Sequence, residues 1–192
     1  MDPADEVLAA RARCGEAQAF AALVRRYETP LFRYLRRMLG NAADAEDVFQ
    51  ETFLRVHQHL GRYRNDAPFR PWLYCIATNL CRDRLRYRRR HPVLALDAPI
   101  GTESGAPSWG ERLPSQAPAP DCAVREEESA RRLQAALAKL HVKQRSVFLM
   151  ARYEGMPYEE IAKTLRIPVG TVKSRMNKAV HFLMAELKDA GP

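Results

Sequence analysis

Aromatic, amide and guanidinium side chains recur along one segment of this 192-residue chain, "FRPWLYCIATNLCRDRLRYRRR" at residues 69–90. On a helix with 100° per residue, one narrow stripe carries all three kinds of side chain. Aromatic faces stack on unpaired bases, amides bind base edges and arginines bind phosphates, so the stripe favours binding of separated nucleic-acid strands. It is equally compatible with a core tryptophan, a local surface amide and a solvated arginine run, and this segment alone leaves both interpretations open. The members of the stripe are Trp72, Cys75, Asn79, Asp83, Arg86 and Arg90.

A second polar arc lies near the end of the chain, in "YEEIAKTLRIPVGTVKSRMNKAVHFLMAEL" at residues 158–187. Ile161 and Leu165 predict a short helix, and Pro168 allows a second helix to start near Val169, which is the spacing of a helix-turn-helix. The second helix would bury Met176, Ala179, Val180, Leu183 and Leu187. Its opposite arc is polar and fits a major groove, with Thr171 placed for a phosphate; an ordinary solvated basic face is the alternative. That arc comprises Gly170, Lys173, Ser174, Asn177, Lys178 and His181.

The elements that must position these residues are helices. In the first half of the chain, apolar residues recur at steps of three and four over residues 20–38, and again over residues 48–60 after a predicted cap at Asn41. Leu73, Ile76, Ala77 and Leu80 flank the stripe and predict a packing face. Leucines, isoleucine and valine mark three short helices between residues 133 and 165. The sequence shows no β alternation, so we predict an all-α fold.

A composition break separates two lobes. Residues 92–122, "PVLALDAPIGTESGAPSWGERLPSQAPAPDC", are dense in proline, glycine and serine and carry one arginine against four acidic residues. Such a segment predicts a flexible, acidic linker. At roughly 3.3 Å per residue it would span up to about 100 Å, so the lobes need not touch in order to work together.

The net charge and the absence of targeting segments limit the kinds of partner that the chain could bind. Lys and Arg exceed Asp and Glu by 31 to 23, a formal charge of +8 that favours a polyanion, either nucleic acid or an anionic membrane surface. The sequence has neither a signal-peptide pattern nor a run of about 20 apolar residues, which predicts a cytoplasmic protein with unpaired, buried cysteines.

Catalytic chemistry has little support in the sequence. The five histidines show no metal-site spacing, and there is neither a Walker-type loop nor a pairing of nucleophile and base. We therefore expect no metal, no cofactor, no small-molecule substrate and no enzymatic activity.

Three motifs in order resemble one family. "DAEDVFQETFLRV", "FRPWLYCIATNLCRDRLR" and "YEEIAKTLRIPVGTVKSRMNKA" are similar to the corresponding segments of bacterial sigma factors of the extracytoplasmic-function group. The resemblance covers nearly the whole chain apart from the linker. It implies a sigma-2-like domain at residues 1–91, the linker at 92–122 and a sigma-4-like helix-turn-helix domain at 123–192.

The resemblance also implies roles for individual residues. The helix at 42–60 would dock on core RNA polymerase through Asp44, Asp47, Gln50 and Glu51, whose spacing is independently consistent with one contact surface. Minus-ten recognition and melting would fall to Asn65, Phe69, Trp72, Asn79 and Arg86. Minus-thirty-five recognition would fall to Thr171, Lys173, Ser174, Arg175, Asn177 and Lys178, although Asn177 replaces a bulkier or basic residue of many relatives.

Partners follow from the same resemblance: core RNA polymerase, promoter DNA and an anti-sigma factor. A stand-alone helix-turn-helix regulator is the alternative. It explains the C-terminal arc equally well, but it accounts neither for the stripe from Trp72 to Arg90 nor for the acidic surface.

Overall fold

The structure is a computed structural model that describes residues 3–63, 68–91 and 120–188, with side chains from 128 onward in the last range. Within these ranges the chain forms eight α-helices, one 3-10 turn and no strand, which confirms the predicted all-α class. The elements are α1 (Asp5–Arg13), α2 (Ala17–Leu39), α3 (Ala42–His59), the 3-10 turn (Leu60–Arg62), α4 (Phe69–Arg90), α5 (Pro120–Lys139), α6 (Val142–Arg152), α7 (Tyr158–Leu165) and α8 (Val169–Lys188).

The first half is built on α2, α3 and α4. The apolar positions of α2 turn inward, and Leu23, Leu31 and Leu35 are completely buried. Asn41 caps α3 as predicted, because its Oδ1 accepts a hydrogen bond from the backbone N–H of Asp44 at 3.0 Å. The first turn of α4 includes Pro71, where a missing N–H costs nothing.

The sequence analysis did not predict α1. This nine-residue helix packs against α2 and α4 through Leu8 and Ala9, which are buried. Its Asp5 accepts hydrogen bonds from Arg26 and from the Tyr27 hydroxyl, which fixes α1 along α2. The first half is therefore a four-helix unit.

In the second half, α7 and α8 form the predicted helix-turn-helix. Arg166 adopts a left-handed conformation (φ 52°) at the end of α7, and the carbonyl of Pro168 accepts the N–H of Thr171 at 2.9 Å to start α8. Val172, Ala179 and Leu183 face the core, as the α8 pattern requires. The prediction is wrong for Leu187, which is 41% exposed in the last turn of α8.

The two halves pack on each other, which the linker interpretation did not anticipate. Helix α2 contacts α5 and α6, and α4 contacts α7, so that the buried residues of both halves form one continuous core. The buried Glu154 carboxylate, just after α6, accepts a hydrogen bond from the Tyr74 hydroxyl and lies 3.6 Å from Arg70. From the other side, Arg145 donates to the carbonyl of Met38 at 2.5 Å.

The structure bears on three further sequence-based expectations: the bounds of the linker, the burial of the cysteines and the absence of a membrane-spanning segment. Residues 92–119 of the predicted linker lie outside the described residues, whereas Pro120 to Cys122 form the start of α5. The expectation of buried cysteines holds for Cys81 and is wrong for Cys14, which is exposed. In the described ranges, none of the helices has the length and apolar character needed to cross a bilayer.

Candidate nucleic-acid interface

The stripe on α4 lies at the surface beside a buried face. Leu73, Ala77 and Leu80 pack into the core as predicted, while Trp72 is half-buried and Asn79 is exposed. Helix α4 is held in this rotation by Thr78, whose hydroxyl bonds the Tyr34 hydroxyl at 2.8 Å inside the core. Rotation of α4 is therefore fixed, and the stripe from Trp72 to Arg86 faces outward.

Trp72 belongs to an aromatic cluster. Its ring lies 4.9 Å from the ring of Tyr63 at an angle of 30°, and 5.7 Å from Phe69 at 67°. Phe69 is completely buried, with Tyr27 and Tyr63 against its ring. The cluster therefore presents part of Trp72 to the surface and uses Phe69 as the support behind it.

Helix α1 braces both sides of this cluster. Glu6 Oε1 accepts the backbone N–H of Phe69 at 3.0 Å, at the start of α4, and Arg13 donates to the Tyr63 carbonyl at 3.3 Å. Asn65, the other predicted minus-ten residue of this region, lies outside the described residues. Sequence reasoning missed Glu6 and Arg13, because no pattern within α1 indicates contacts with residues more than 45 positions away.

Asn79 has only weak partners. Its Nδ2 lies 3.8 Å from Cys75 Sγ, and its Oδ1 lies 3.5 Å from an Arg82 nitrogen. Both distances are long for hydrogen bonds, so the exposed amide can bind an external donor or acceptor. Arg86 is also exposed and pairs with Asp83 at 3.2 Å, an ion pair that solvent screens.

The predicted acidic surface on α3 is exposed at Asp47 and Gln50 but partly buried at Asp44 and Glu51, and its aspartates pair with α4. Asp44 lies 3.3 Å from Arg84 and 3.1 Å from Arg88, and Asp47, whose side chain is 61% exposed, lies 2.8 Å from Arg84. These arginines therefore offset part of the charge predicted for docking.

The far side of the α3 surface includes an apolar residue. Gln50 is exposed, and Glu51 pairs with Arg55 at 2.7 Å. Leu54, one helical turn beyond Gln50, is 52% exposed and was missed from the sequence. Its signal is an apolar residue outside the buried arc of α3, and exposed apolar residues beside polar ones are typical of protein interfaces.

The outer face of α8 is exposed where the sequence predicts it. Lys173, Ser174, Asn177 and Lys178 face solvent, and Thr171 is partly buried in the first turn. Arg175 is partly buried because it points toward the first half of the chain; burial, and secondarily the charge of Arg82, lowers its pKa. Four of the six predicted residues thus lie on the outer face of α8, and Thr171 lies in its first turn. Arg175 instead points toward α4.

Comparisons with known proteins agree with this architecture. The description "Sigma-70 region 2" matches residues 23–91, and "Sigma-70, region 4" matches residues 130–183. The chain is 34% identical to the ECF RNA polymerase sigma factor SigW of Bacillus subtilis (strain 168) over 175 residues, 91% of this chain and 92% of that protein.

Solved structures share the fold. CnrH, in a complex with the cytosolic domain of CnrY, is similar with a TM-score of 0.70 and 29% identity, covering 99% of this chain and 100% of that chain. The sigma factor RpoE from Bartonella quintana, crystallised with the anti-sigma factor NepR, has the same fold, with a TM-score of 0.66, 23% identity and coverages of 90% and 98%.

Regions 2 and 4 thus occur in the order that the three sequence motifs predict, and a stand-alone regulator would not require the first of them. The family resemblance is confirmed: this chain belongs to the sigma-70 family and is an RNA polymerase sigma factor of the extracytoplasmic-function group.

Proposed function

We propose that this sigma factor divides promoter recognition between its halves, with α4 capturing a flipped base of the minus-ten element and α8 reading the minus-thirty-five element as duplex. One observation carries the proposal: Trp72, Asn79 and Arg86 lie along one outward line of α4, and the buried face of the same helix, with Leu73, Ala77 and Leu80, fixes the direction of that line. A base–aromatic stack contributes about 1–3 kcal/mol, and every base has a face to stack. The line therefore suits a base that has left the helix.

The aromatic cluster would hold the capture surface rigid. Because Phe69 is completely buried, we assign it to supporting Trp72 instead of contacting the base directly. Tyr63 covers one side of the indole, which leaves the exposed part of Trp72 for the base. The Asn79 amide, two turns along α4, would bind a polar edge, and Arg86 would contact the phosphate backbone.

Core polymerase would dock on α3. Asp47, Gln50 and Glu51 give a polar rim, and Leu54 adds exposed apolar surface that docking would bury. Docking would exchange the Asp47–Arg84 ion pair for a basic partner surface. An exposed pair of this kind contributes about 0–1 kcal/mol, so this exchange costs little.

The halves must separate for both elements to be read at once. The minus-ten and minus-thirty-five elements lie about 25 base pairs apart, roughly 85 Å of duplex at about 3.4 Å per base pair. In the structure α4 and α7 are in direct contact, and the reading helix α8 is packed on α7. We therefore propose that the packed arrangement is that of the free protein, and that the division at residues 92–122 allows the halves to open.

We also propose a protein partner and a cellular location for this sigma factor. CnrH was solved with the cytosolic domain of CnrY, so a relative of this fold binds a partner chain, and we expect an anti-sigma factor here. We propose that the protein acts in the cytoplasm as a transcription initiation factor without catalysis of its own.

Run-off transcription tests the division of labour. Asn79→Ala and Lys173→Ala are compared on duplex promoter and on a template already mismatched around the minus-ten element. Flipping a base costs a few kcal/mol in duplex and little in a mismatched template, so pre-melting should rescue Asn79→Ala substantially and Lys173→Ala hardly at all. Lys173→Ala should also reduce the salt dependence of promoter binding.

Matched controls are available for both residue types at exposed positions away from the proposed DNA contacts. Gln18→Ala removes an exposed amide at the start of α2, and Lys188→Ala removes an exposed lysine at the end of α8. Both should transcribe as the unmodified protein does on both templates. Equal rescue of Asn79→Ala and Lys173→Ala, or of neither, would contradict the proposed division.

A further inference from the structure

A cleft of about 580 Å³ between α4 and α6 collects cations from both halves of the chain. The first half contributes four arginines, and the second half contributes a histidine, a lysine and an arginine. Apolar residues such as Leu85 and Val142 complete the lining, and no acidic residue takes part. The cations are Arg82, Arg86, Arg88, Arg89, Lys143 and Arg145, and His141 lies beside them with a pKa that burial and then the neighbouring positive charges lower.

Most of this charge is uncompensated. Arg86 pairs with Asp83, which lies on α4. Arg88 pairs with Asp44, which lies on α3. Neither aspartate lines the cleft. Among the described residues, Arg82, Arg89, Lys143 and Arg145 have no carboxylate within ion-pair distance. The mutual repulsion is visible at the second half: burial first and then the charge of Arg89 lower the pKa of Arg145.

Arg145 is a buried charged residue that lines the cleft and is held in place by hydrogen bonds. Its side chain is only 6% exposed, and its terminal nitrogens donate to the carbonyls of Met38, Ala138 and Leu140. Its Nε, by contrast, is buried without a hydrogen-bond partner, and so is the Nε of Arg82 on the facing helix. A buried guanidinium nitrogen without an acceptor is costly, so each of these two cleft-lining arginines keeps an unsatisfied donor.

Helix α6 adds to the same effect. It begins at Val142, so its first backbone N–H groups lie at the edge of the cleft beside Lys143. The start of an 11-residue helix carries partial positive charge, which favours an anion, although the N–H of Lys143 already donates to Nδ1 of His141 at 3.2 Å. Buried donors, the helix start and unpaired cations from two halves thus converge on one cleft.

We propose that this cleft binds a small polyphosphate anion, such as pyrophosphate or the polyphosphate moiety of a nucleotide, and that binding favours the packed arrangement of the two halves. Several adjacent negative charges suit a site whose cations come from facing helices, whereas a single sulfate would leave most of them unpaired. Duplex DNA is too large for a cleft of this volume, because a single major groove is already about 12 Å wide. The proposal concerns the free protein and does not depend on its activity with polymerase.

Isothermal titration of the full chain with sodium pyrophosphate tests the proposal, at an ionic strength held constant with chloride. We expect one site per chain, with sulfate binding at least tenfold more weakly. Arg89→Ala and Lys143→Ala, one exposed residue from each half, should each weaken pyrophosphate at least fivefold. The double control Arg25→Ala/Lys188→Ala removes two exposed charges far from the cleft and should change binding less than twofold.

Separate measurements test whether pyrophosphate binding favours the packed arrangement of the two halves. Small-angle X-ray scattering should show an unchanged or smaller radius of gyration with pyrophosphate, and thermal unfolding should shift upward as ligand binding to the native state requires. Equal weakening by the cleft variants and the double control, several sites per chain, or equal binding of sulfate would overturn the proposal, because each indicates general attraction to a basic surface. So would cleft variants that weaken a short non-promoter duplex but not pyrophosphate, which would assign these cations to nucleic acid.

Discussion

Glu154→Ala should open the two halves of this sigma factor. The Glu154 side chain is 6% exposed, accepts a hydrogen bond from the Tyr74 hydroxyl and lies 3.6 Å from Arg70. Arg70 also donates to the Glu154 backbone carbonyl, so the same residue ties α4 to the segment after α6 twice. The substitution removes the carboxylate and leaves the Tyr74 hydroxyl without its acceptor.

The expected shift in the equilibrium between packed and open halves follows from the kind of contact that is lost. A hydrogen bond to a charged group contributes about 1.5–3 kcal/mol, and the Arg70 pair adds little, since that side chain is one-third exposed. Because about 1.4 kcal/mol is a factor of ten, the equilibrium between packed and open halves should shift roughly 10- to 150-fold toward open. If core polymerase binds only the open form, the apparent affinity of Glu154→Ala for core polymerase should rise by up to the same factor.

Titration of core polymerase with fluorescently labelled protein measures this shift. Glu159→Ala, which removes an exposed acid from the first turn of α7, is the matched control and should leave the affinity unchanged. Glu154→Gln keeps an acceptor for Tyr74 without the charge and should lie between the two. Unchanged affinity in a folded Glu154→Ala protein, or an equal gain in Glu159→Ala, would refute the idea that this contact opposes polymerase binding.

Two further predictions concern α3 and the buried tyrosines. Asp47→Arg should abolish co-purification with core polymerase, since a like charge facing a basic surface costs several kcal/mol, whereas Glu28→Arg on α2 should not; full binding by folded Asp47→Arg would count against the docking surface. Burial raises the pKa of the Tyr34 phenol above its ordinary value, so the folded chain keeps a proton that the unfolded chain loses above about pH 10. Its contribution to the free energy of unfolding is complete below that pH and falls by about 1.4 kcal/mol per pH unit above it. Urea unfolding between pH 8 and 11.5 should therefore show a shallower alkaline decline for Tyr34→Phe, and an identical slope would contradict this reading of the core.

Local features of the fold were predictable because local sequence determines them. The apolar arcs of α2 and α4, the Asn41 cap and the start of α8 after Pro168 each depend on residues within one or two turns. The exposed positions of Asn79 and Lys173 followed from the same periodicity. Helix α1 was missed because its short, alanine-rich sequence has a weak apolar pattern, and its contacts with Tyr63 and Phe69 lie far away in the chain.

Contacts between distant elements were not predictable from periodicity. The aspartates of α3 were expected to form an acidic surface, and nothing in that helix shows that Arg84 and Arg88 of α4 lie against them. Arg145 interrupts the apolar run of α6 and would ordinarily be placed at the surface, yet carbonyls from α2 and α5 surround it. Such residues are buried only because two separate segments supply acceptors, which a single-sequence pattern does not record.

The hydrogen bond from Arg145 to the Met38 carbonyl has a consequence for synthesis of the chain. Arg145 lies 107 residues after its acceptor, and translation at about 5–20 residues per second separates the two by roughly 5 to 20 seconds. During that interval the newly made first half can fold on the ribosome while the end of α2 lacks its partner. Each molecule therefore passes through a period in which its first half has no second half to pack against, and its polymerase-docking and DNA-binding surfaces are made before the halves can close.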